Sequence, residues 1–179
     1  MNQSHGFLEA LPEAGLAWLY DHWRSFVLEN GRLPYRTEID PLDVPKAVLP
    51  NMLIIEKVAG GRFRCRLAGT RLREVYGFEI AGRYLDDVMS PAASADRIKI
   101  YERVLDERCA AYCRLRFAVP GREFVASDRL YVPVLDRQSS DPMVLFCVQR
   151  FVMSAEIVGH PDAAGVYTLR FDDTVLPLT

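Results

Sequence analysis

The segment MLIIEKVAGGRFRCRLA, residues 52–68, carries the strongest local structural signal of the chain. Met52 to Val58 has the composition of a β-strand, Gly60-Gly61 that of a tight turn, and Arg62 to Ala68 that of the returning strand. Along the returning strand apolar residues alternate with arginines, which predicts one buried face and one wet face. The residues expected on the buried face are Phe63, Cys65 and Leu67, and those expected on the wet face are Arg62, Arg64 and Arg66.

Three further strands are predicted on the carboxyl-terminal side, at residues 110–119, 122–135 and 143–153. Pro120-Gly121 and the polar segment 136–142 separate them, so an antiparallel meander is expected. The last strand is apolar at nearly every position from 144 to 148, which is typical of a central strand covered on both faces.

Helical periodicity occupies the rest of the chain before the meander. Apolar residues recur at helical spacing from Pro12 to Asn30, and Gly31 follows as a stop signal. A proline-rich connection leads from this helix to the hairpin. Residues 70–106 predict short helices interrupted at Gly77 and Gly82, followed by one longer helix.

Composition limits the classes of function. The chain has 179 residues, a formal net charge of −2 and a pI near 5.9, so no overall positive field attracts nucleic acid or anionic lipid. The longest apolar run, Met143 to Val148, is far shorter than the roughly 20 residues of a membrane span. With no secretory signal at the amino terminus, the sequence predicts a soluble cytoplasmic protein without nucleic-acid or membrane partners.

Catalytic and metal motifs are missing from the sequence. No GxG spacing or phosphate loop is present, and the three histidines are far apart, which argues against a nucleotide enzyme and a zinc site. Ser127, Asp128 and His160 lack the sequence context of an acyl-transfer triad. Cys109 and Cys113 are redox candidates, although a cysteine in an apolar strand is usually a small hydrophobic residue. The prediction is therefore a protein that is not an enzyme and holds no metal.

The element order and several segments resemble a PAS domain. The resemblance rests on residues 66–70 (RLAGT), 76–88 (YGFEIAGRYLDDV) and 97–105, and the preceding residues 23–50 resemble a PAS-like family of uncharacterised alphaproteobacterial proteins. It implies an α+β fold with a five-stranded antiparallel sheet in the order 2-1-5-4-3, helices on one face and an amphipathic amino-terminal helix. Three regions follow: residues 1–50 as helix and connection, 51–153 as core, and 154–179 as an extension with one more strand at Val166 to Phe171.

The resemblance also bears on cofactors. Haem in PAS-like proteins is usually ligated by a histidine on or near the long helix, and residues 84–106 contain none. A covalent flavin photoreceptor would carry an asparagine-cysteine motif where this chain has residues 69–73, GTRLR. Neither haem nor covalent flavin is expected, and the identity of any cofactor stays open.

The function implied by the resemblance is that of a non-catalytic sensory or signalling module, which binds a small apolar or aromatic ligand or a partner protein. The resemblance also implies a cup, the space between the sheet and the helices. One alternative is a small-ligand enzyme or carrier that uses an apolar cup on a curved sheet, and another is an interaction subunit whose own side chains fill the cup. The residues expected to line the cup are Leu67, Val75, Tyr76, Leu85, Val88, Ile98, Tyr101, Phe117, Leu130 and Val132. Tyr76 and Tyr101 are the candidates for polar contacts with a ligand.

A homodimer is predicted as well. The apolar surface of the amino-terminal helix is wider than one contact stripe requires, so this helix is expected to pack on its own sheet and also to supply part of the interface. The residues expected to contribute are Leu16, Trp18, Leu19, Trp23 and Phe26.

Overall fold

A computed structural model of the chain describes residues 7, 9, 11–39, 43–116, 125–137, 141–153, 157, 159–162 and 165–172. The α-helices are α1 (Ala14–Asn30), α2 (Thr70–Tyr76), α3 (Leu85–Val88) and α4 (Pro91–Asp106), and short 3-10 helices lie at Arg36–Glu38 and Leu49–Asn51. The strands are β1 (Met52–Lys57), β2 (Phe63–Ala68), β3 (Ala111–Arg116), β4 (Val125–Leu135), β5 (Pro142–Met153) and β6 (Val166–Phe171).

The strands form one antiparallel sheet in the order β2-β1-β5-β4-β3-β6. The first five strands have the predicted order, and β5 lies in the middle of the sheet, as its continuous apolar run indicates. The prediction of a five-stranded sheet is corrected to six, because β6 from the carboxyl-terminal extension pairs with the free edge of β3. Its bounds, Val166–Phe171, are those predicted for the extra strand.

A β-bulge interrupts the pairing of β1 with β2. Ile54 pairs with Leu67, whereas the next residue, Ile55, pairs with Cys65. The extra residue on β2 shifts the alternation by one, so Leu67 points to the opposite side of the sheet from Cys65 and Phe63. The predicted alternation therefore holds only for the first half of β2.

Both faces of the sheet are covered, and each has its own core. The face under α2, α3 and α4, called the inner face below, carries Leu53, Ile55 and Leu145 among its apolar side chains. The opposite, outer face is covered by α1 and carries Leu130 and Val132. Adjacent residues of one strand point to opposite faces, so each central strand contributes to both cores.

The amino-terminal helix α1 packs on the outer face. Its apolar stripe is fully buried, and the indole N–H of Trp23 donates a hydrogen bond of 2.9 Å to the carbonyl oxygen of Pro133 in β4. The helix ends at Asn30, and Gly31 caps it with a φ of 66°. Helix formation and packing against the sheet are thus as predicted.

This packing corrects the predicted interface. Leu16, Leu19 and Trp23 are each at most 1% exposed, so a second chain cannot contact their side chains in this fold. They are buried because the outer face of the sheet is itself apolar and takes up the whole stripe. Trp18 and Phe26 remain half-buried, and Trp18 stacks on His22 at a centroid distance of 5.1 Å.

The helical region between β2 and β3 turns where the sequence indicated. Gly77 ends α2 with a φ of 82°, and Gly82 lies in the following turn with a φ of 81°. The longer helix α4 begins at Pro91, where the hydroxyl of Ser90 accepts a hydrogen bond from the backbone N–H of Ala93 at 3.3 Å. These turns fold α2, α3 and α4 back over the inner face.

Candidate functional site

Most of the residues predicted to line the cup lie together on the inner face. Tyr76, Leu85, Val88 and Tyr101 border one cavity between the sheet and the helices α2, α3 and α4. Val75 and Ile98 are partly buried against the same core. Their contact with a ligand remains a prediction.

Three of the predicted lining residues lie on the wrong side of the sheet. Leu130 and Val132 point to the outer face and pack in the core under α1, and Leu67 is displaced there by the bulge in β2 and is 46% exposed. The error for β4 has a physical cause: its apolar residues were assigned to the inner face, but both faces are covered, so hydrophobicity does not distinguish them. Phe117 lies outside the described residues.

The inner face of β4 is polar instead. Ser127, Arg129 and Tyr131 project from it toward the helices, and all three are at most 1% exposed. Opposite Arg129 in the neighbouring strand β5 lies Gln149, which is also buried. Sequence analysis missed this strip, because it selected only apolar and aromatic residues as lining residues.

A hydrogen-bond network joins this strip to the helices. Arg129 donates from Nε to the hydroxyl of Ser127 at 2.7 Å and from Nη2 to the hydroxyl of Tyr76 at 3.3 Å. The phenolic oxygen of Tyr131 accepts from Arg129 Nη1 at 3.5 Å and from Arg97 Nη1 at 3.1 Å. Arg97 comes from α4, so one phenol holds two guanidinium groups from different elements.

The two guanidinium groups are deeply buried and lack a carboxylate partner. Arg97 is 5% exposed and Arg129 is 1% exposed, and within the described part of the chain neither forms an ion pair. Arginine stays charged in proteins, so two like charges are enclosed in a medium where each costs several kcal/mol to bury. The neighbouring phenols do not neutralise them, since burial raises the pKa of Tyr101 and Tyr131 above the ordinary value.

Two cavities adjoin the network. The cavity bordered by Arg129, Tyr76 and Tyr101 has a volume of about 30 Å³, little more than the space of a water molecule. The second, of about 210 Å³, lies between the first turns of α4 and the strands β3 and β6, and Arg97 borders it. The cup in the middle of the inner face is therefore nearly filled, and the larger space lies beside it.

The geometry supports neither acyl transfer by Ser127 nor a reactive thiolate at Cys109 or Cys113. Ser127 and Asp128 are adjacent in β4 and point to opposite faces, and the carboxylate of Asp128 binds Arg114, which leaves no relay between the two. Burial raises the pKa of the Cys109 thiol to about 12 and that of Cys113 to about 11, so both are protonated near neutral pH. Reactive thiolates are not formed at these positions.

The described residues contain no group of three or more histidine, cysteine, aspartate or glutamate side chains arranged to hold a metal ion. No helix among them has the length and apolar character needed to cross a membrane.

The fold and the helix-covered face define the class of protein. Apart from the added edge strand β6, an antiparallel sheet in this strand order, with short helices and one longer helix over one face, is the architecture that the PAS resemblance implies. The family model PAS_5, described as a PAS domain, matches residues 13–149, so the chain belongs to the PAS domain family. PAS domains are in general sensory or signalling modules. A search of the curated proteins finds no match.

Proposed function

We propose that the chain is a non-catalytic, cytoplasmic sensory module, which binds a small ligand on the inner face and relays binding to a partner or to a second copy of itself. The observation that carries the proposal is the buried network of Arg97, Arg129 and Tyr131 beside a cavity of about 210 Å³. Buried charges without a counter-charge are costly, and they persist where a ligand or a mechanism requires them.

Strand β4 supplies a route from this network to α1. Arg129 and Tyr131 point to the inner face, while the carbonyl oxygen of Pro133, two residues further on, accepts the hydrogen bond from Trp23 of α1. A displacement of β4 by a ligand would thus act on both sides of the sheet. Energetic coupling of this kind requires a contiguous set of packed elements, which β4 and α1 form.

Native mass spectrometry on the freshly purified full chain tests ligand binding. The expected spectrum contains a species heavier than the 20.3 kDa chain, which loses a small molecule on collisional activation. Hydrogen exchange of α1, measured before and after the ligand is removed, tests the relay, and we expect faster exchange at the helix in the ligand-free protein. A single mass equal to that of the chain in repeated preparations contradicts the proposal.

One observation favours a second candidate, an interaction subunit that holds no ligand. The cavity in the middle of the inner face has a volume of only about 30 Å³, because Tyr76, Tyr101 and Arg129 occupy the space. In this reading the partner protein contacts the helices directly. The two candidates differ in the mass spectrum, since only the first predicts a bound small molecule.

A further inference from the structure

The unpaired charge of Arg97 singles out one side of the network. Its Nη1 donates to the hydroxyl of Tyr131 at 3.1 Å, and no second hydrogen bond to Arg97 is found among the described residues. A guanidinium has five N–H donors, so most of its donor capacity is unused although the side chain is 95% buried. Arg129, on the same phenolic oxygen, adds a second positive charge rather than a counter-charge.

The pocket next to Arg97 has the electrostatic character of an anion site. Ser90, Ala92 and Ala93, at the amino-terminal end of α4, border it together with Arg97 and Arg116, and Gly165 closes the far side. The helix dipole makes the start of a helix positive, and α4 has 16 residues to build that dipole. Pro91 has no N–H and the N–H of Ala93 donates to Ser90, so Ala92 supplies the backbone N–H group at this end. The buried guanidinium of Arg97 and a helix start therefore border the same space.

One carboxylate also borders this pocket. Asp96 lies on its rim, and the ammonium group of Lys99 binds the Asp96 carboxylate at 3.2 Å. Asp96 is not hydrogen-bonded to Arg97 and so does not supply the missing counter-charge. The volume of about 210 Å³ exceeds the roughly 30 Å³ share of one water molecule several-fold, which is ample for a small polyatomic ion.

We propose that this pocket binds a small oxyanion, namely the carboxylate or phosphate group of a small molecule, with Arg97 as its principal partner. Planar guanidinium groups bind such oxyanions through two parallel hydrogen bonds, and burial strengthens the attraction. The inference rests on the proposed ligand-binding function and narrows it, because the sequence led us to expect an apolar or aromatic ligand. An anion there supplies the counter-charge that Arg97 does not find among the described residues.

Titration calorimetry on the dialysed full chain, at constant ionic strength, tests the inference with inorganic phosphate and with acetate as probes. We expect saturable binding of at least one probe, and the comparison shows which oxyanion is preferred. Arg97→Met, which keeps an unbranched stem and removes the charge, should weaken that binding at least 10-fold. Arg103→Met on the exposed side of the same helix is the matched control and should bind as the unaltered chain does.

The amide signals of Ala92 and Ala93 in the unaltered chain provide a second measurement, which is independent of how Arg97→Met folds. They should shift on titration with the bound probe, whereas equal, small shifts across the whole surface indicate an adventitious ion only and overturn the inference. Failure of both probes to bind also overturns it. If native mass spectrometry then still shows a bound neutral molecule, the proposed function stands and only the anion site is lost.

Discussion

Trp23 of α1 donates its indole N–H to the carbonyl oxygen of Pro133 in β4, at 2.9 Å, and both groups are buried. A proline is unusual inside a sheet because it lacks an N–H. Here β3 pairs with β4 only as far as Tyr131, and Pro133 lies beyond that point. The tryptophan therefore satisfies a carbonyl group on the side of β4 that has no strand partner.

Trp23→Phe should lower the free energy of unfolding by about 1–2 kcal/mol, because it removes this hydrogen bond and leaves a buried carbonyl group without a donor. Urea denaturation followed by circular dichroism measures the change. Trp18→Phe is the control, since Trp18 is half-buried and stacks on His22, and it should change stability by less than about 0.5 kcal/mol. Equal losses in the two variants would contradict a specific role for the hydrogen bond.

The sequence patterns predicted the strands, the PAS resemblance implied their order, and the assignment of residues to the two faces was wrong in part. The glycine-punctuated hairpin and the apolar run of β5 are local signals, and each decides an element by itself. The face that a residue occupies depends on register, and one extra residue in β2 moved Leu67 to the other face. No composition signal distinguishes a bulge from regular alternation in such a short strand.

The buried network of Arg97, Arg129 and Tyr131 could not be predicted from the sequence, for a different reason. Arg129 follows Ser127 and Asp128 in β4, and three consecutive polar residues ordinarily predict a solvated segment. Only the packing of α2 and α4 over that face encloses its side chain, and those contacts join residues far apart in the chain, such as Arg97 and Tyr131. The useful signal was the run of apolar residues on both sides of β5, which indicates a sheet covered on both faces.

Gly69→Ala should be strongly destabilising although its backbone is ordinary. A Cβ atom at Gly69 would lie 2.3 Å from the carbonyl oxygen of Pro50 and 2.4 Å from that of Leu49, so the backbone of the 3-10 helix would have to move. Overpacking of this kind costs about 1–3 kcal/mol, and a backbone clash belongs at the upper end. Thermal unfolding should show a clearly lower midpoint.

Gly82→Ala is the matched comparison for Gly69→Ala. Its Cβ would meet no atom within 4 Å, but the φ of 81° is unfavourable for alanine, so the expected loss is about 1 kcal/mol. Gly82→Asn should lose less, since asparagine tolerates this conformation better. If Gly69→Ala proves milder than Gly82→Ala, the close approach of Gly69 to Pro50 is wrong.

Arg97→Met should raise the stability of the ligand-free chain. The variant removes one of two like charges that share the phenol of Tyr131 and replaces it with an unbranched apolar side chain. Substituting apolar residues for buried charges is often neutral or stabilising by about 1–4 kcal/mol. Urea denaturation in anion-poor buffer measures it, and Arg103→Met serves again as the exposed control. A marked loss of stability would mean that Arg97 has a counter-charge within the folded chain.

Alkaline pH should destabilise the fold. Burial raises the pKa of the Cys113 thiol from 9.0 to about 11, so between these values the folded chain binds more protons than the unfolded chain does. The contribution of this thiol to the free energy of unfolding is then constant below about pH 9. Above that pH it falls, by up to about 1.4 kcal/mol per pH unit for each such group. Urea denaturation at pH 8, 9 and 10 measures the slope. Cys113→Ala should reduce the slope and not abolish it, because burial raises the pKa of the Cys109 thiol as well, and an unchanged slope would show that Cys113 does not contribute.

The dimer prediction now rests on the outer surface of α1, because the inner stripe of that helix is taken up by the sheet. Trp18 and Phe26 are half-buried, and Leu28 is 67% exposed. If two chains pair through this surface, apolar area of both copies leaves water, and a charge placed in the interface must weaken the pairing.

Light scattering at tens of micromolar should report twice the 20.3 kDa mass for the unaltered chain and a mass near 20.3 kDa for Leu28→Glu. The control is Leu169→Glu, at a leucine of β6 that is 40% exposed and pairs with the inner-face residue Cys113, on the face opposite α1; this variant should remain dimeric. A monomeric unaltered chain would remove the dimer, and the relay would then require a different partner protein.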